Sequence, residues 1–205
     1  MPRKEGRQYV NWSKTALPWM SIGYETQIPP ISTLTFYNAI ANGGRMMRPR
    51  FVKAVVKDGK VIAEYPPQVM RERICKPSTL GKIQTILEKV VSQGLGKKAG
   101  SRSFKVAGKT GTAQISQGAA GYKSGTVNYL LSFAGYFPAD NPRYSCIVCI
   151  QKSGLPASGG GMSGLVFHNI AEGIMAQDIK LDVRDARDST SVLVPDVKNG
   201  NILAA

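Results

Sequence analysis

Apolar positions along the chain switch between helical and strand spacing, and the switches mark out its elements. Residues 1–30 hold no sustained period; Pro18, Pro29 and Pro30 interrupt them, and Trp12, Trp19 and Tyr24 form an aromatic cluster. From Ile31 to Asn42, Leu34, Tyr37 and Ala41 keep three- and four-residue spacing, which predicts a helix stopped by Gly43-Gly44. Phe51–Lys57 and Val61–Tyr65 are β-branched runs around Asp58-Gly59, a hairpin signal that Pro66-Pro67 ends. A second helix is expected over Ser78–Gln93, with Leu80, Ile83, Leu87 and Val90 as its stripe and Gly94 as its stop. A basic loop (Lys97, Lys98, Arg102, Lys105) then leads through a short strand into Gly108–Ile115, followed by a Gly- and Ser-rich loop over 116–125.

Val127–Phe137 and Tyr144–Gln151 read as antiparallel strands joined by a short turn over residues 138–142. Both are apolar on both faces, so both are expected at the centre of a sheet. Ser158–Gly161 reads as a flexible lead into a last helix, Ser163–Ala176, with Phe167, Ile170 and Ile174 inward and His168 off the stripe. Antiparallel strands flanked by helices give an α+β fold. After Ile179 the chain turns charged (Asp182, Arg184, Asp185, Arg187, Asp188). The expected organisation is therefore a domain over 1–180, a linker over 181–191, and the opening of a further unit over 192–205.

Composition narrows the classes. With 42% hydrophobic and 20% charged residues, this 205-residue chain is ordinary globular material. Its net charge of +14 keeps anionic partners in view. The basic residues are scattered over strands, helices and strand ends; only Lys97–Lys109 makes a local cluster, so nucleic acid is not the expected partner. The apolar runs are well short of the ~20 residues of a membrane span, and Met1-Pro2-Arg3-Lys4 is followed by no apolar core, so neither signal nor anchor is read in these residues.

Several chemistries fall away on spacing. Cys146 and Cys149 form a Cys-x-x-Cys, but on a strand positions three apart face opposite ways, so both are read as small buried hydrophobes and no metal is expected. His168 is the only histidine and sits on a helix surface, which leaves a Ser-His-Asp arrangement without a base. Gly108-Lys109-Thr110 looks like the end of a phosphate-cradling loop, yet Ser103 stands where the first glycine belongs and no helix is predicted after it.

Lys109-Thr110-Gly111-Thr112 on a strand is the better reading. A strand at a cleft edge can bind an extended peptide through its backbone. Gly111 allows close approach, the hydroxyls of Thr110 and Thr112 can hold a terminal carboxylate, and Lys109 places positive charge beside it. Lys-Thr-Gly is also the third element of penicillin-binding proteins and class A β-lactamases. Around it, Val10-Asn11-Trp12, Ile22-Gly23-Tyr24-Glu25, Thr26–Pro30 and Tyr37–Gly44 resemble the stretch that precedes this motif in class B penicillin-binding proteins. Val106–Gln114 resembles the motif in full, and Phe133–Pro138 with Gly159–Phe167 resembles the family's next strand and its glycine loop. Val194-Pro195-Asp196-Val197 resembles the opening of a PASTA domain.

The resemblance implies a division-associated peptidoglycan D,D-transpeptidase, acting by serine acyl transfer on a D-alanyl-D-alanine stem peptide and inhibited by β-lactams, without metal or cofactor. It places the parent protein in the bacterial envelope, on the outer side of the inner membrane and alongside other division proteins. It assigns Lys109 to the catalytic machinery, Thr110, Gly111 and Thr112 to substrate binding, and the Thr112 N–H to one of two oxyanion donors. The family also needs Ser-x-x-Lys and Ser-x-Asn, and no serine among the 205 residues has either neighbour. The chain is therefore expected to be the C-terminal part of a transpeptidase domain, inactive alone, with sheet surface left bare where the serine-bearing helix would pack. A basic nucleic-acid-binding module and a non-catalytic interaction fragment are the alternatives.

Overall fold

A computed structural model describes residues 4–5, 8–9, 15–24, 26, 28–116 and 125–187, with side chains from 15 to 178 within these ranges. Its centre is a three-stranded antiparallel sheet in the order β7 (Ala107–Ile115), β8 (Asn128–Phe137), β9 (Tyr144–Ser153). Register is unbroken: Gly111 faces Ser132, and Ser132 faces Cys149. Helix α2 (Pro30–Ala41) packs against β8 and β9, α3 (Pro77–Ser92) packs along β7, and α4 (Gly164–Arg187) packs against β8 and β9.

The two-residue period of β8 sorts its side chains. Leu131, Phe133 and Phe137 are buried on the α4 side and Ala134 and Tyr136 on the α2 side. On the α4 side the Phe133 and Phe167 rings lie 4.7 Å apart, and Phe137 meets Phe167 edge-on at 5.6 Å. Val91, Ala99, Val106, Val148 and Ala171 complete that core. On the α2 side Ile40, Leu87, Ala107 and Tyr136 form a smaller one. Burial, with the Glu88 charge in second place, pushes the Tyr136 hydroxyl up to about 12.

The smaller elements are α1 (Ala16–Ser21), which gives order to a stretch expected to be irregular, and the short strand pairs β1 (Lys4–Glu5) with β2 (Gln8–Tyr9) and β3 (Met46–Met47) with β6 (Val69–Arg71). The Asp58-Gly59 hairpin is present as β4 (Ala54–Lys57) and β5 (Lys60–Glu64), and both turn residues take positive φ.

Five expectations are corrected. β9 is not central: among the described residues it is the edge of the sheet. Its outward face opens away from the α2 contact, where Asn38 Nδ2 donates to Ser145 Oγ at 3.0 Å. Cys149, further along that face, is consequently exposed, whereas Cys146 packs on the α4-side core; burial raises both thiols, and neither is bridged. The last helix does not end at Ala176 but runs to Arg187, through residues expected as linker. No Gly or Pro lies between Gly173 and Pro195 to stop it. Arg143 (3.1 Å) and the Tyr144 hydroxyl (2.7 and 2.8 Å) both engage the Asp178 carboxylate, which ties the helix to the start of β9. Its inward stripe is Phe167, Ala171, Ile174 and Met175; Ile170 lies off it at 38% exposure, because the small Ala171 faces the sheet. Finally, Ser158–Gly161 is not a loose lead but part of an ordered turn of π-helix. The expected loop lies mostly, and the 192–205 unit wholly, outside the described residues.

Candidate functional site

β7 has two edges. One pairs with β8; along the other, no strand is added among the described residues. Which backbone groups face that open edge is settled by one contact: the Gln114 N–H donates to the Tyr24 hydroxyl at 3.1 Å and so points away from β8. By the two-residue period, the N–H and C=O groups of Thr112 and Thr110 point the same way. The open edge therefore presents a row of peptide donors and acceptors, the requirement for binding an extended chain.

Side chains divide between the faces. Lys109 is exposed, and its Nζ donates to the Thr110 carbonyl at 2.8 Å, which holds the ammonium at the open edge. Gly111 shares the face of Lys109, and a methyl group there would meet only the Ser132 hydroxyl. A side chain at 111 would force that hydroxyl aside, and its absence also leaves the surface beside Lys109 uncovered. Gly108 differs, since a methyl there would lie 2.6 Å from the Phe133 ring and 2.7 Å from the Ala134 carbonyl.

Thr110 and Thr112 lie on the opposite face, under the glycine segment. Ser158 Oγ accepts from the Gly161 N–H at 2.9 Å and opens the π-helical turn over Gly159–Ser163. Gly159 and Gly160 are buried. A methyl on Gly159 would fall on the Gly111 carbonyl, and one on Gly160 on the Leu95 carbonyl and within 3.1 Å of the Thr110 methyl. This absence of side chains lets the Gly159 N–H reach Thr112 Oγ1 at 3.0 Å. The Thr112 hydroxyl accepts there, so its own proton is free to be donated to a bound group.

All four expected residues thus sit together at one strand edge: Lys109 and Gly111 on one face, Thr110 and Thr112 on the other, and the Thr112 N–H directed outward. Two contributors escape the sequence reading. Tyr24 enters there as one of an aromatic cluster and within a stretch resembling the family, with no role assigned; in the structure its ring meets Trp19 edge-on at 5.4 Å and its hydroxyl fixes the end of β7. Gly159 and Gly160 read as flexible, although a run of three glycines is equally the mark of a close backbone approach. His168 stays outside the site, 3.9 Å from Glu172 one turn along α4. Among the described residues no cluster of His, Cys, Asp and Glu could hold a metal ion.

Comparison with known proteins identifies the family. The family model "penicillin binding protein transpeptidase domain" matches residues 3–172. The chain belongs to that family. PbpB of Mycobacterium tuberculosis is 33% identical over 178 residues, covering 82% of this chain and 26% of the relative. Among solved structures, penicillin-binding protein 3 from M. tuberculosis superposes with a TM-score of 0.68 at 32% identity, over 82% of this chain and 39% of that one. Its aztreonam complex gives 0.67 at 33% identity over the same shares. The chain thus spans about a quarter of the length of the curated relative and carries the class B transpeptidase fold over part of that domain.

Proposed function

We propose that this chain supplies the carboxylate-binding side of a D,D-transpeptidase cleft in a division-type penicillin-binding protein. The observation that carries the reading is the open edge of β7, with the Thr112 N–H turned outward and its hydroxyl held as a donor by Gly159. A D-alanyl-D-alanine stem peptide lies along that edge and pairs with the outward backbone groups. Its terminal carboxylate accepts from the Thr110 and Thr112 hydroxyls, with the Lys109 ammonium adding favourable charge.

A serine supplied by another portion of the full-length polypeptide attacks the penultimate carbonyl. The Thr112 N–H donates to the oxyanion as it forms, which is where fixed donors lower the barrier most. The tetrahedral intermediate collapses with loss of D-alanine, leaving an acyl-serine, and an amine on a neighbouring strand takes the acyl group. A β-lactam presents its carboxylate to the same threonines. No Ser-x-x-Lys lies within the 205 residues, so the acylating half is not among them. Peptidoglycan as substrate places the parent protein at the cell envelope; among the described residues no helix is long and apolar enough to cross a membrane.

The test is acylation by a fluorescent penicillin. The full-length polypeptide acylates and the 205-residue chain alone does not. Thr112→Val lowers the second-order acylation rate by roughly 10- to 100-fold, the loss of a hydrogen bond to a charged group, and Thr112→Ser restores most of it. Stable labelling of the isolated chain, or a Thr112→Val protein that acylates at the native rate, contradicts the proposal.

A further inference from the structure

The β4–β5 hairpin stands apart from the acyl-transfer edge. Between Arg50 and Arg71 only Ala54 and Ala63 are even partly buried. Phe51 is 77% exposed and the cross-strand pair Val56–Val61 about 60% on both sides. A two-stranded hairpin gains little stability by itself in water, and a large exposed apolar surface marks an interaction site. The hairpin is nevertheless well rooted. Arg50 Nη1 donates to the Tyr65 carbonyl at 2.6 Å, the Tyr65 N–H to the Lys53 carbonyl at 2.9 Å, and the Arg48 N–H to the Gln68 carbonyl at 2.8 Å. A cavity of about 520 Å³ opens at this root, lined by Pro49, Phe51, Tyr65 and Pro66 with Arg48 and Arg50 at its sides.

The charge around it is one-sided. Residues 45–73 hold eight basic and three acidic side chains, and one of the acids, Glu72, is already engaged by Arg45 at 3.0 Å. Lys53, Lys57 and Lys60 form no ion pair among the described residues. β4 therefore brings together a strand edge that no described residue pairs, the adjacent Val55 and Val56, unpaired lysines and, at its root, the cavity.

We propose that the β4 edge is a docking site for an extended segment of a partner protein that alternates acidic and large apolar residues. The segment adds a third strand along Ala54–Lys57, sets an apolar anchor in the root cavity, and opposes its acids to Lys53, Lys57 and Arg48. Backbone pairing supplies affinity, and the cavity and charges supply selectivity. The site is independent of the β7 edge and does not require the transpeptidase reading.

A photoreactive p-benzoylphenylalanine replacing Val56 in the full-length protein, expressed in its host, tests this. The expected result is an adduct with another protein in which the cross-linked peptide, mapped by mass spectrometry, is rich in Asp and Glu alternating with apolar residues. Lys53→Glu with Lys57→Glu should cut the adduct at least tenfold, whereas Lys82→Glu with Lys89→Glu on α3 leaves it unchanged, all variants melting at the same temperature. Cross-linking to another part of the same polypeptide, to a neutral or basic segment, to lipid or to nothing overturns the proposal. Insensitivity to the Lys53/Lys57 reversal does so as well. Penicillin acylation by the same variants keeps the two proposals separate, since it is expected to be native throughout.

Discussion

Two antiparallel hairpins among the described residues, β4–β5 and β8–β9, are both apolar strand runs around a turn, and they meet opposite fates. β8 and β9 are clamped between α2 and α4, with Phe133 and Phe137 fully buried. β4 and β5 project with Val56 and Val61 in solvent. The turn differs as well. Asp58-Gly59 makes a tight two-residue link, whereas residues 138–143 span a longer connection anchored by the Ala139 N–H on the Lys105 carbonyl at 2.8 Å. Alternation and turn chemistry decide that a strand forms. Whether it becomes a core is decided by what the rest of the chain brings against it: aromatic Phe167 and small Ala171 from α4 in one case, and nothing comparable among the described residues in the other.

That contrast can be broken at either end. The largest effect belongs to the clamped hairpin: Phe167→Ala removes the ring that contacts both Phe133 and Phe137 and should cost about 3–5 kcal/mol in denaturant unfolding. A loss below about 1 kcal/mol would mean that the aromatic core is not the source of stability.

Next comes pH. The Tyr136 hydroxyl titrates at about 12 in the folded state against an unfolded value of 10.0, so folding favours its protonated form. Its contribution is complete below about pH 10 and is lost as pH rises towards about 12, roughly 2–3 kcal/mol in all. Tyr136→Phe should flatten the alkaline limb of a stability-against-pH curve, and an identical slope in both proteins would refute this origin.

Gly159→Ala is expected to push the glycine turn off Gly111 and break the bond to Thr112. Penicillin acylation by the full-length protein should fall about tenfold or more, a larger effect than its stability change predicts, because the loss is at the proposed carboxylate-binding site. The smallest effect is at the exposed hairpin, where Val56→Ala should change stability by less than about 0.5 kcal/mol.

Much of this architecture is legible in the residues. The periods of Leu80–Val90 and Val127–Gln151, and the glycines at 43, 44 and 59, place the helices and strands within a few residues. Lys109–Thr112 reads as strand from the residues alone, since Gly111-Thr112 with Ile115 after it is a poor helix start. What escapes depends on partners distant in the chain. Charged residues after Ile179 suit a linker and a solvated helix equally; the structure carries α4 through them to Arg187, and the Asp178 contact with Arg143 and Tyr144 ties down the turn just before them. Cys149 obeys the strand alternation, but whether its face is covered depends on how far α2 extends. The contribution of Gly159 is visible only once the Gly111 carbonyl lies beneath it, and that of Tyr24 only once its hydroxyl meets Gln114.

The most direct test is a crystal structure of the full-length polypeptide acylated by a β-lactam. The ligand should lie antiparallel to β7 along its open edge, with its carboxylate within hydrogen-bond distance of the Thr110 and Thr112 hydroxyls and its ester carbonyl oxygen on the Thr112 N–H. An adduct whose carboxylate contacts neither threonine, or whose carbonyl points away from Thr112, would contradict the assignment of this edge as the substrate-binding side of the cleft.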